Sequence, residues 1–154
     1  AITEMSRIVV QGMVKHHRGV ILNIGSGAGR IPIGNPLYAV YSASKAYVDF
    51  LSRSMAVELK PLGVTVQCQA PYMVTSKLSK IRHSSLFVPS PDTFVASSLK
   101  ALCDGSSVVP FWSHKLQDWL MQNLPTWAVK AILVKMHLGL RRRFLRKLES
   151  KKSN

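Results

Sequence analysis

Apolar residues along this chain recur first at helical and then at strand spacing, and the alternation predicts an α/β protein. Apolar positions fall at helical intervals over residues 2–15, and the basic residues and glycine of His16–Gly19 favour a helix end. Val20–Ile24 is a short apolar run, typical of a strand buried on both faces of a parallel sheet. Residues 37–60 predict a second helix, which Pro61–Gly63 ends.

The second half of the chain continues the alternation with shorter elements. Val64–Gln69 alternates apolar and polar residues, which predicts a strand near a sheet edge or with one polar face. Ser90–Asp92 is a helix-start signal, and it predicts a helix from Asp92 to Leu102. Residues 106–111 predict a short strand. Lys115–Leu140 then contains long apolar spans with two tryptophans, interrupted by Pro125.

Charge is concentrated at the C-terminal end. The formal net charge is +14, and residues 130–154 contain nine lysines or arginines but one acid, Glu149. Such a basic tail predicts a polyanionic partner, either membrane phosphates or nucleic acid. No base-stacking aromatic pattern interleaves the tail, which favours a membrane partner and no nucleic acid.

The last apolar stretch predicts how the chain would contact a membrane. Residues 126–140 are too few to span a bilayer core of ~30 Å. On a helix, Lys130, His137 and Arg141 line one side, which suits a helix lying in a membrane interface and equally suits a subunit-packing helix. The chain ends with Lys151 and Lys152 before its last two residues, and this resembles the dilysine retrieval signal of endoplasmic reticulum membrane proteins.

Tyr41 and Lys45 are the first candidates for chemistry. Residues four apart project from the same helix face. An ammonium close to a phenol favours the phenolate, so the pair can donate or accept a proton beside a carbonyl or an alcohol. Tyr38 and Tyr47 have no such lysine partner, and they are expected to pack in the core.

Ser26 follows the first strand within the glycine-rich segment Gly25–Arg30, and its hydroxyl could hold a substrate oxygen. A phosphate-binding loop needs a helix to begin directly after it. Pro32, Gly34 and Pro36 follow instead, which predicts an active-site loop. The His16–His17 pair has no accompanying ligands at metal spacing, so no metal site is predicted.

The order of strand, Ser26, helix with Tyr41-x-x-x-Lys45, strand and Pro71 resembles the catalytic half of the short-chain dehydrogenase/reductase family over roughly residues 1–80. The resemblance implies the C-terminal half of a Rossmann-like, doubly wound parallel sheet. It gives an incomplete catalytic domain over residues 1–112, followed by an amphipathic helical and basic extension over residues 113–154.

The resemblance also implies roles for individual residues. Ser26, Tyr41 and Lys45 would be catalytic, and Tyr41, Lys45, Pro71 and Ser76 would contact the cofactor, NADPH. In the family, the second strand is often followed by Pro-Gly-x-x-x-Thr. Here Tyr72 replaces the glycine, and Ser76 stands at the threonine position.

Longer strings resemble one branch of the family, the plant very-long-chain 3-oxoacyl-CoA reductases of the fatty-acid elongase. They are residues 23–28, 36–41, 66–69 and 87–90. The branch implies an endoplasmic reticulum membrane enzyme that reduces 3-oxoacyl-CoA to 3-hydroxyacyl-CoA. The 17β-hydroxysteroid dehydrogenases are also similar, and steroid reduction stays open.

Two family features have no match in these residues. The glycine-rich cofactor turn Thr-Gly-x-x-x-Gly-x-Gly and a catalytic asparagine are both missing from the sequence. The expectation is that the chain is a fragment that binds NADPH poorly by itself. A non-catalytic, membrane-associated interaction fragment is the alternative. Expected partners are an acyl-CoA, elongase subunits and a second copy packed through the helices at 2–15 and 37–60.

Overall fold

The computed structural model describes residues 1–77, 79 and 81–152. Within these residues the chain forms five α-helices and three β-strands. In chain order they are α1 (Ile2–Lys15), β1 (Gly19–Ile24), α2 (Ala39–Leu59), β2 (Val64–Gln69), α3 (Pro91–Lys100), β3 (Ser107–Val108), α4 (Trp112–Asn123) and α5 (Thr126–Lys152). The strands lie parallel in the order β1-β2-β3, with Gly19 opposite Val64 and Cys68 opposite Ser107. The predicted α/β class and helical C-terminal extension are confirmed.

The sequence signals for helix ends are confirmed. Ser90 caps α3, because its hydroxyl accepts the Thr93 backbone N–H at 3.2 Å. Gly63 follows α2 with φ of 78°, in the left-handed region. A Cβ at this position would lie 2.2 Å from the His17 carbonyl oxygen, so only glycine lets the start of β2 pass this close to the end of α1.

The two longer strands differ from their predictions. β1 was predicted to be buried on both faces, but it is the edge strand of the described sheet, and Val20, Leu22 and Ile24 are exposed. β2 was predicted to lie near an edge or to have one polar face; it is the central strand and almost wholly buried, and Gln67 and Gln69 give it one polar face. The predicted position was wrong for both strands because it was judged from the polarity of the strand itself, whereas the polar face of β2 was predicted correctly.

The apolar core consists of two clusters on different helices. One lies under α1 and α2 and contains Ile21, Leu59, Val64 and Val66. The other joins Ile31, in the loop after β1, to Val129 and Leu133 of α5. The predicted division of the chain between residues 112 and 113 stays a prediction.

Three side-chain placements differ from expectation. Tyr38 and Tyr47 do not pack in the core, since they are 43% and 50% exposed. His137 does not share an outward side with Lys130 and Arg141. It is buried, its Nδ1 lies 2.6 Å from the Pro36 carbonyl oxygen, and its ring lies against that of Tyr38. The contact with the Pro36 carbonyl, which needs a hydrogen-bond partner when buried, therefore keeps the His137 side chain inside the protein.

Helix α5 extends the fold past its second core cluster. From Arg141 to Arg146 every side chain is exposed. Across the described residues, none of the helices combines the length and the apolar character needed to cross a membrane. The predicted dilysine signal depends on the chain end, and Ser153 and Asn154 lie outside the described residues.

Candidate active site

Ser26 lies where the chain leaves β1, beside the segment that leaves β2. The Gly25 N–H donates to the Gln69 carbonyl at 2.8 Å, and the Gly27 N–H donates to the Pro71 carbonyl at 2.9 Å. These two bonds hold Ser26 between them. The Ser26 Oγ accepts the Ala28 backbone N–H at 3.2 Å. A hydroxyl that accepts one bond still has its own proton to donate.

Lys45 is fastened to the same strand end. Its Nζ donates to the Ile24 carbonyl at 3.0 Å, two residues before Ser26. Tyr41 lies one turn earlier in the first turn of α2, and its ring is about half exposed. Among the described contacts, no hydrogen bond joins the Tyr41 hydroxyl to Ser26 or Lys45. Ser26 and Lys45 thus converge on one strand end, and helix geometry places Tyr41 on the face of Lys45.

Gly29 explains how the Ser26 loop comes so close to α2. The loop forms a short 3-10 turn over Gly27–Gly29, and α2 begins ten residues later at Ala39. A Cβ on Gly29 would lie 2.6 Å from the Lys45 carbonyl carbon and the Ala46 nitrogen. The loop therefore rests directly on the helix backbone at Lys45. The prediction that this segment does not open a helix is confirmed.

The two remaining predicted cofactor contacts have different surroundings. Pro71 adjoins Ser26, because its carbonyl accepts the Gly27 N–H. Ser76 is exposed, and its Oγ lies 3.1 Å from the Ser79 Oγ and accepts the Ser79 N–H at 3.0 Å. No described hydrogen bond connects Ser76 with Ser26 or Lys45. Its role as a cofactor contact stays a prediction, as do the roles of the other four residues.

A buried ionic cluster adjoins the loops that form the site, and it was not predicted from the sequence. Asp118 of α4 accepts bonds from Arg30 Nε at 3.2 Å, from the Tyr72 hydroxyl at 3.1 Å and from Gln122 Nε2 at 2.7 Å. Arg30 also donates to the Ser107 hydroxyl at 2.6 Å. The one cluster joins the loop after β1, the loop after β2, the start of β3 and α4.

Charge fixes the protonation states in this cluster. Burial and then the negative charge of Asp118 raise the pKa of Tyr72, so its hydroxyl stays protonated and donates. Burial lowers the pKa of Arg30, but the hydrogen bond and charge of Asp118, together with the charges of Asp49 and Tyr72, outweigh burial and raise it. A sequence signal existed, because Asp118 is the only acidic residue between Asp104 and Glu149.

His114 of α4 supports the segment after β2. The ring is fully buried, and its Nδ1 accepts the Tyr72 backbone N–H at 3.3 Å. The proton therefore sits on Nε2, which faces the Met73 carbonyl at 3.1 Å. Burial lowers the pKa of His114, although bonds to the Met73 and Phe87 carbonyls oppose the shift. A neutral imidazole thus links α4 to the backbone next to Pro71.

Comparison with known proteins assigns the family. The family model described as short chain dehydrogenase matches residues 1–85, which is more than half of the 154 residues. The chain belongs to the short chain dehydrogenase family.

The curated relatives of this short chain dehydrogenase confirm the resemblance to the very-long-chain branch. The human very-long-chain 3-oxoacyl-CoA reductase is 40% identical over 147 residues, which are 96% of this chain and 46% of the human protein. A very-long-chain 3-oxoacyl-CoA reductase-like protein of Arabidopsis thaliana is 42% identical over 154 residues, covering 94% of this chain and 47% of that protein. The chain spans about half the length of the curated relatives it matches.

Solved structures agree with the fold. A short-chain dehydrogenase from Sphingobium yanoikuyae in complex with NADPH is 26% identical, with a TM-score of 0.58, over 91% of this chain and 51% of that one. A 7beta-hydroxysteroid dehydrogenase structure is 18% identical, with a TM-score of 0.66, over 77% of this chain and 48% of that one. The second likeness concerns the fold alone.

Tyr72 is where this short chain dehydrogenase departs from the pattern expected after Pro71. Its ring lies against the backbone of Gly27, since a Cβ on Gly27 would lie 2.3 Å from the ring. The ring thus contacts the residue next to Ser26, while its hydroxyl reaches Asp118. The substitution gives the Ser26 loop a packing partner that a glycine could not supply.

Within residues 1–77, 79 and 81–152, no three histidine, cysteine or acidic side chains form a group that could hold a metal ion.

Proposed function

We propose that the protein, as part of a longer chain, reduces very-long-chain 3-oxoacyl-CoA to 3-hydroxyacyl-CoA with NADPH in fatty-acid elongation. The names of its human and Arabidopsis relatives support this reaction. The observation that carries it is the bond from Lys45 Nζ to the Ile24 carbonyl, which brings the lysine to the strand end that also holds Ser26. Tyr41 lies one helical turn from that lysine.

Each of the three side chains has a distinct task in the proposal. Tyr41 donates a proton to the 3-oxo oxygen as carbon 3 is reduced. Ser26 donates a hydrogen bond to the same oxygen, because its Oγ already accepts from Ala28 and keeps its proton available. The Lys45 ammonium favours the negative charge left on Tyr41. Charge that develops in the transition state is thereby met by positioned donors.

The described residues fit one end of the proposed cofactor. Ser26, Lys45 and Pro71 meet at the carboxyl edge of the parallel strands, where nucleotide ligands bind in open α/β sheets. When bound, NADPH supplies the hydride. The Gly25 and Gly27 N–H groups are already bonded to Gln69 and Pro71, so this loop offers no free cradle for the pyrophosphate. In the proposal, Tyr41, Lys45, Pro71 and Ser76 hold the nicotinamide end.

The chain offers a matched pair of tyrosines for the test. Tyr41→Phe in the full-length protein is expected to lower kcat/KM for a 3-oxoacyl-CoA by about 10²- to 10⁴-fold, the usual range for a lost general acid. Tyr38→Phe removes a neighbouring, similarly exposed hydroxyl, and activity should stay within about twofold. If both variants kept full activity, the proton-donor role would be wrong.

The substrate class is tested with the same enzyme. The reductase proposal expects a higher kcat/KM for a 3-oxoacyl-CoA than for a 17-ketosteroid. The reverse preference would favour a 17β-hydroxysteroid dehydrogenase. If a full-length protein with a bound cofactor reduced neither class, the proposed activity would be rejected in favour of the non-catalytic interaction fragment.

Two partners belong to the same proposal. Apolar side chains project from the outer faces of α1 and α2, among them Met5, Ile8, Phe50 and Val57, and they support a homodimer packed through these helices. We also propose the endoplasmic reticulum membrane as the location and elongase subunits as neighbours. The exposed basic residues Arg141, Arg142, Arg143 and Arg146 support an anionic membrane surface.

A further inference from the structure

Arg30 ends the short turn that begins at Ser26. The Ser26 Oγ accepts the Ala28 N–H at 3.2 Å. The Gly29 N–H donates to the Ser26 carbonyl at 3.0 Å, and the Arg30 N–H donates to the Gly27 carbonyl at 3.0 Å. Ser26 and Arg30 are therefore the two ends of one hydrogen-bonded unit, which we call the Ser26 turn.

The composition of the Ser26 turn makes its backbone soft. Residues 25–29 contain three glycines, and none of their side chains is longer than that of serine. Glycine has the greatest conformational freedom to lose on folding, so these residues do not fix the direction of the Ser26 hydroxyl by their own preferences. The Gly25 and Gly27 N–H groups hold the near end of the turn to the segment after β2. Arg30 is the first side chain after Ser26 that is long enough to fix the far end.

The Arg30 guanidinium is bound to three other elements. Its Nε and Nη2 donate to the two carboxylate oxygens of Asp118 in α4, both at 3.2 Å. Its Nη1 donates to the Ser107 hydroxyl of β3 at 2.6 Å and lies 3.9 Å from Asp49 Oδ1 of α2. The Ser107 hydroxyl in turn donates to Asp49. Because a planar guanidinium has several donors in fixed directions, these contacts set the orientation of the side chain as well as its position.

The same contacts set the position of the turn on α2. Gly29 rests on the helix backbone, since a Cβ there would lie 2.6 Å from the Lys45 carbonyl carbon. A displacement of Arg30 would therefore move the turn relative to the helix that contains Tyr41. Ile31 also holds this loop, through apolar contacts with α5, but such contacts have no preferred direction. Direction matters here, because a hydrogen bond weakens steeply when its donor is misaligned.

We infer that Arg30 is a positioning residue of the candidate active site, because its guanidinium fixes the turn that directs the Ser26 hydroxyl at the substrate oxygen. Arg30 acts through the backbone of the turn and not on the substrate itself. The inference rests on the proposed reduction, in which Ser26 has an oxygen to hold. Misplacement of a reacting group by about 1 Å can lower a rate by about 10²-fold, so the position of this hydroxyl has a measurable consequence.

The first measurement follows hydrogen exchange in the full-length protein and does not need activity. Arg30→Lys keeps a positive charge between the carboxylates, but an ammonium cannot bind all three partners in the directions of a guanidinium. The Ala28 and Gly29 amides, which are bonded inside the turn, should exchange about tenfold faster in this variant. Amides of β2 should exchange as in the wild type, which checks that the variant is folded. Unchanged exchange in the turn would overturn the inference.

The second measurement is a double-mutant cycle on kcat for a 3-oxoacyl-CoA. Ser26→Ala should lower kcat by about 10²- to 10³-fold, the usual cost of one donor to a developing oxyanion. Arg30→Lys should lower kcat by about tenfold, with the KM for NADPH within about twofold. In the Ser26→Ala background, Arg30→Lys should change kcat by less than about twofold, because no hydroxyl remains to be positioned. A purely structural arginine would lower kcat by the same factor in both backgrounds, and that result would overturn the inference.

Arg53→Lys is the matched control. Arg53 also pairs with Asp49, at 3.7 Å, but its side chain is half exposed and it lies outside the Ser26 turn. This variant should leave both the exchange of the turn and kcat unchanged. Equal losses of kcat in the two arginine variants would assign the effect to Asp49 and overturn the inference.

Failure of the proposed function gives a different result from failure of the inference alone. If Tyr41→Phe and Ser26→Ala both kept full activity, the proposed reduction and the inference would be rejected together, whatever the exchange of the turn. If both variants lost activity while Arg30→Lys kept the wild-type kcat, the proposed reduction would stand and only the positioning role of Arg30 would be rejected.

Discussion

The strands β1 and β2 each occupy the position in the sheet that the polarity of the other strand would predict. β1 is the more apolar, yet Val20, Leu22 and Ile24 are 46%, 37% and 50% exposed. β2 contains two glutamines, and Gln67 and Gln69 are both 0% exposed. A strand is buried here because of its position in the sheet and because its polar groups have hydrogen-bond partners. The polarity of its own residues predicts neither the position nor the partners.

The glutamines of β2 can be buried because they complete the end of a helix. The last carbonyls of a helix have no partner within it. Gln67 Nε2 donates to the Ala101 carbonyl at 2.9 Å, directly after α3, and to the Gly105 carbonyl at 3.0 Å. Gln69 Nε2 donates to the Ser98 carbonyl at 2.9 Å. The polar face of β2 is thus a set of caps for α3, which offsets the cost of its desolvation.

The largest loss of stability is expected at Asp118, which joins the loops that follow β1 and β2. Asp118→Ala removes the hydrogen-bonded carboxylate of Arg30, beyond β1, and leaves it only Asp49 at 3.9 Å; it also leaves the hydroxyl of Tyr72, beyond β2, without an acceptor. Loss of one partner of a buried ion pair typically costs about 3–5 kcal/mol. Urea unfolding should show a decrease of this size in the free energy of unfolding.

The control for this prediction is Arg53→Ala. Arg53 pairs with Asp49 at 3.7 Å, but its side chain is half exposed, so its loss should cost only about 0–1 kcal/mol. Equal costs for the two variants would show that the Asp118 cluster does not join the two loops.

The next effect tests whether the polar face of β2 is required. Gln67→Leu gives the strand the apolar character expected of a central strand, but it removes the donor of the Gly105 carbonyl and leaves the Ala101 carbonyl with the Asp104 N–H alone. One carbonyl without a donor and a second that loses one of its two bonds predict a loss of about 1–3 kcal/mol in the free energy of unfolding. A variant as stable as the wild type would mean that water or backbone movement replaces the glutamine.

A smaller, pH-dependent effect follows from the support of the segment after β2. The pKa of His114 is lowered by burial, so the unfolded chain binds this proton more readily than the folded chain does. The contribution of His114 to stability is then complete above about pH 6.5, the unfolded value, and is lost as the pH falls toward the lower folded value. Thermal unfolding of the wild type should therefore show a stability that decreases as the pH falls below about 6.5.

The same measurement on His114→Gln provides the comparison. Glutamine can still bond to the segment, but it does not titrate, so the slope attributable to this position should disappear. An unchanged slope below pH 6.5 would assign the acid sensitivity to other groups.

Local signals predicted much of the fold and part of the candidate site. Helix α2, its stop at Gly63 and the cap at Ser90 depend on residues adjacent in the chain, so spacing alone could find them. The order of Ser26, Tyr41 and Lys45 around β1 and α2 likewise depends on short separations. The structure adds the bond from Lys45 to Ile24, which links that helix to that strand end.

Contacts between distant residues could not be predicted in the same way. Arg30 and Asp118 are 88 positions apart, and Tyr72 and His114 are 42 apart. Nothing in the local pattern of either member indicates its partner. The burial of His137 under Tyr38 and the central place of β2 have the same origin, because both depend on which segments meet after folding.

The smallest change in stability is expected in β1. There an apolar residue is replaced by glutamine, the reverse of the substitution in β2. Leu22→Gln puts an amide on the exposed face of the edge strand, so the 154-residue chain should lose no more than about 0.5 kcal/mol. Self-association, measured by analytical ultracentrifugation, should decrease, because an unpaired edge with exposed apolar residues promotes pairing between chains.

The same substitution in a longer chain measures what covers β1. If a preceding strand and helix lie on this edge, as the double length of the relatives would allow, Leu22 becomes a core residue and its change to glutamine should cost about 2 kcal/mol or more. Thr65→Ala, on the central strand, serves as the control that should cost the same in both chains. A Leu22→Gln cost that did not increase with chain length would mean that β1 stays an edge in the whole protein, and the contrast with β2 would then belong to the fold itself.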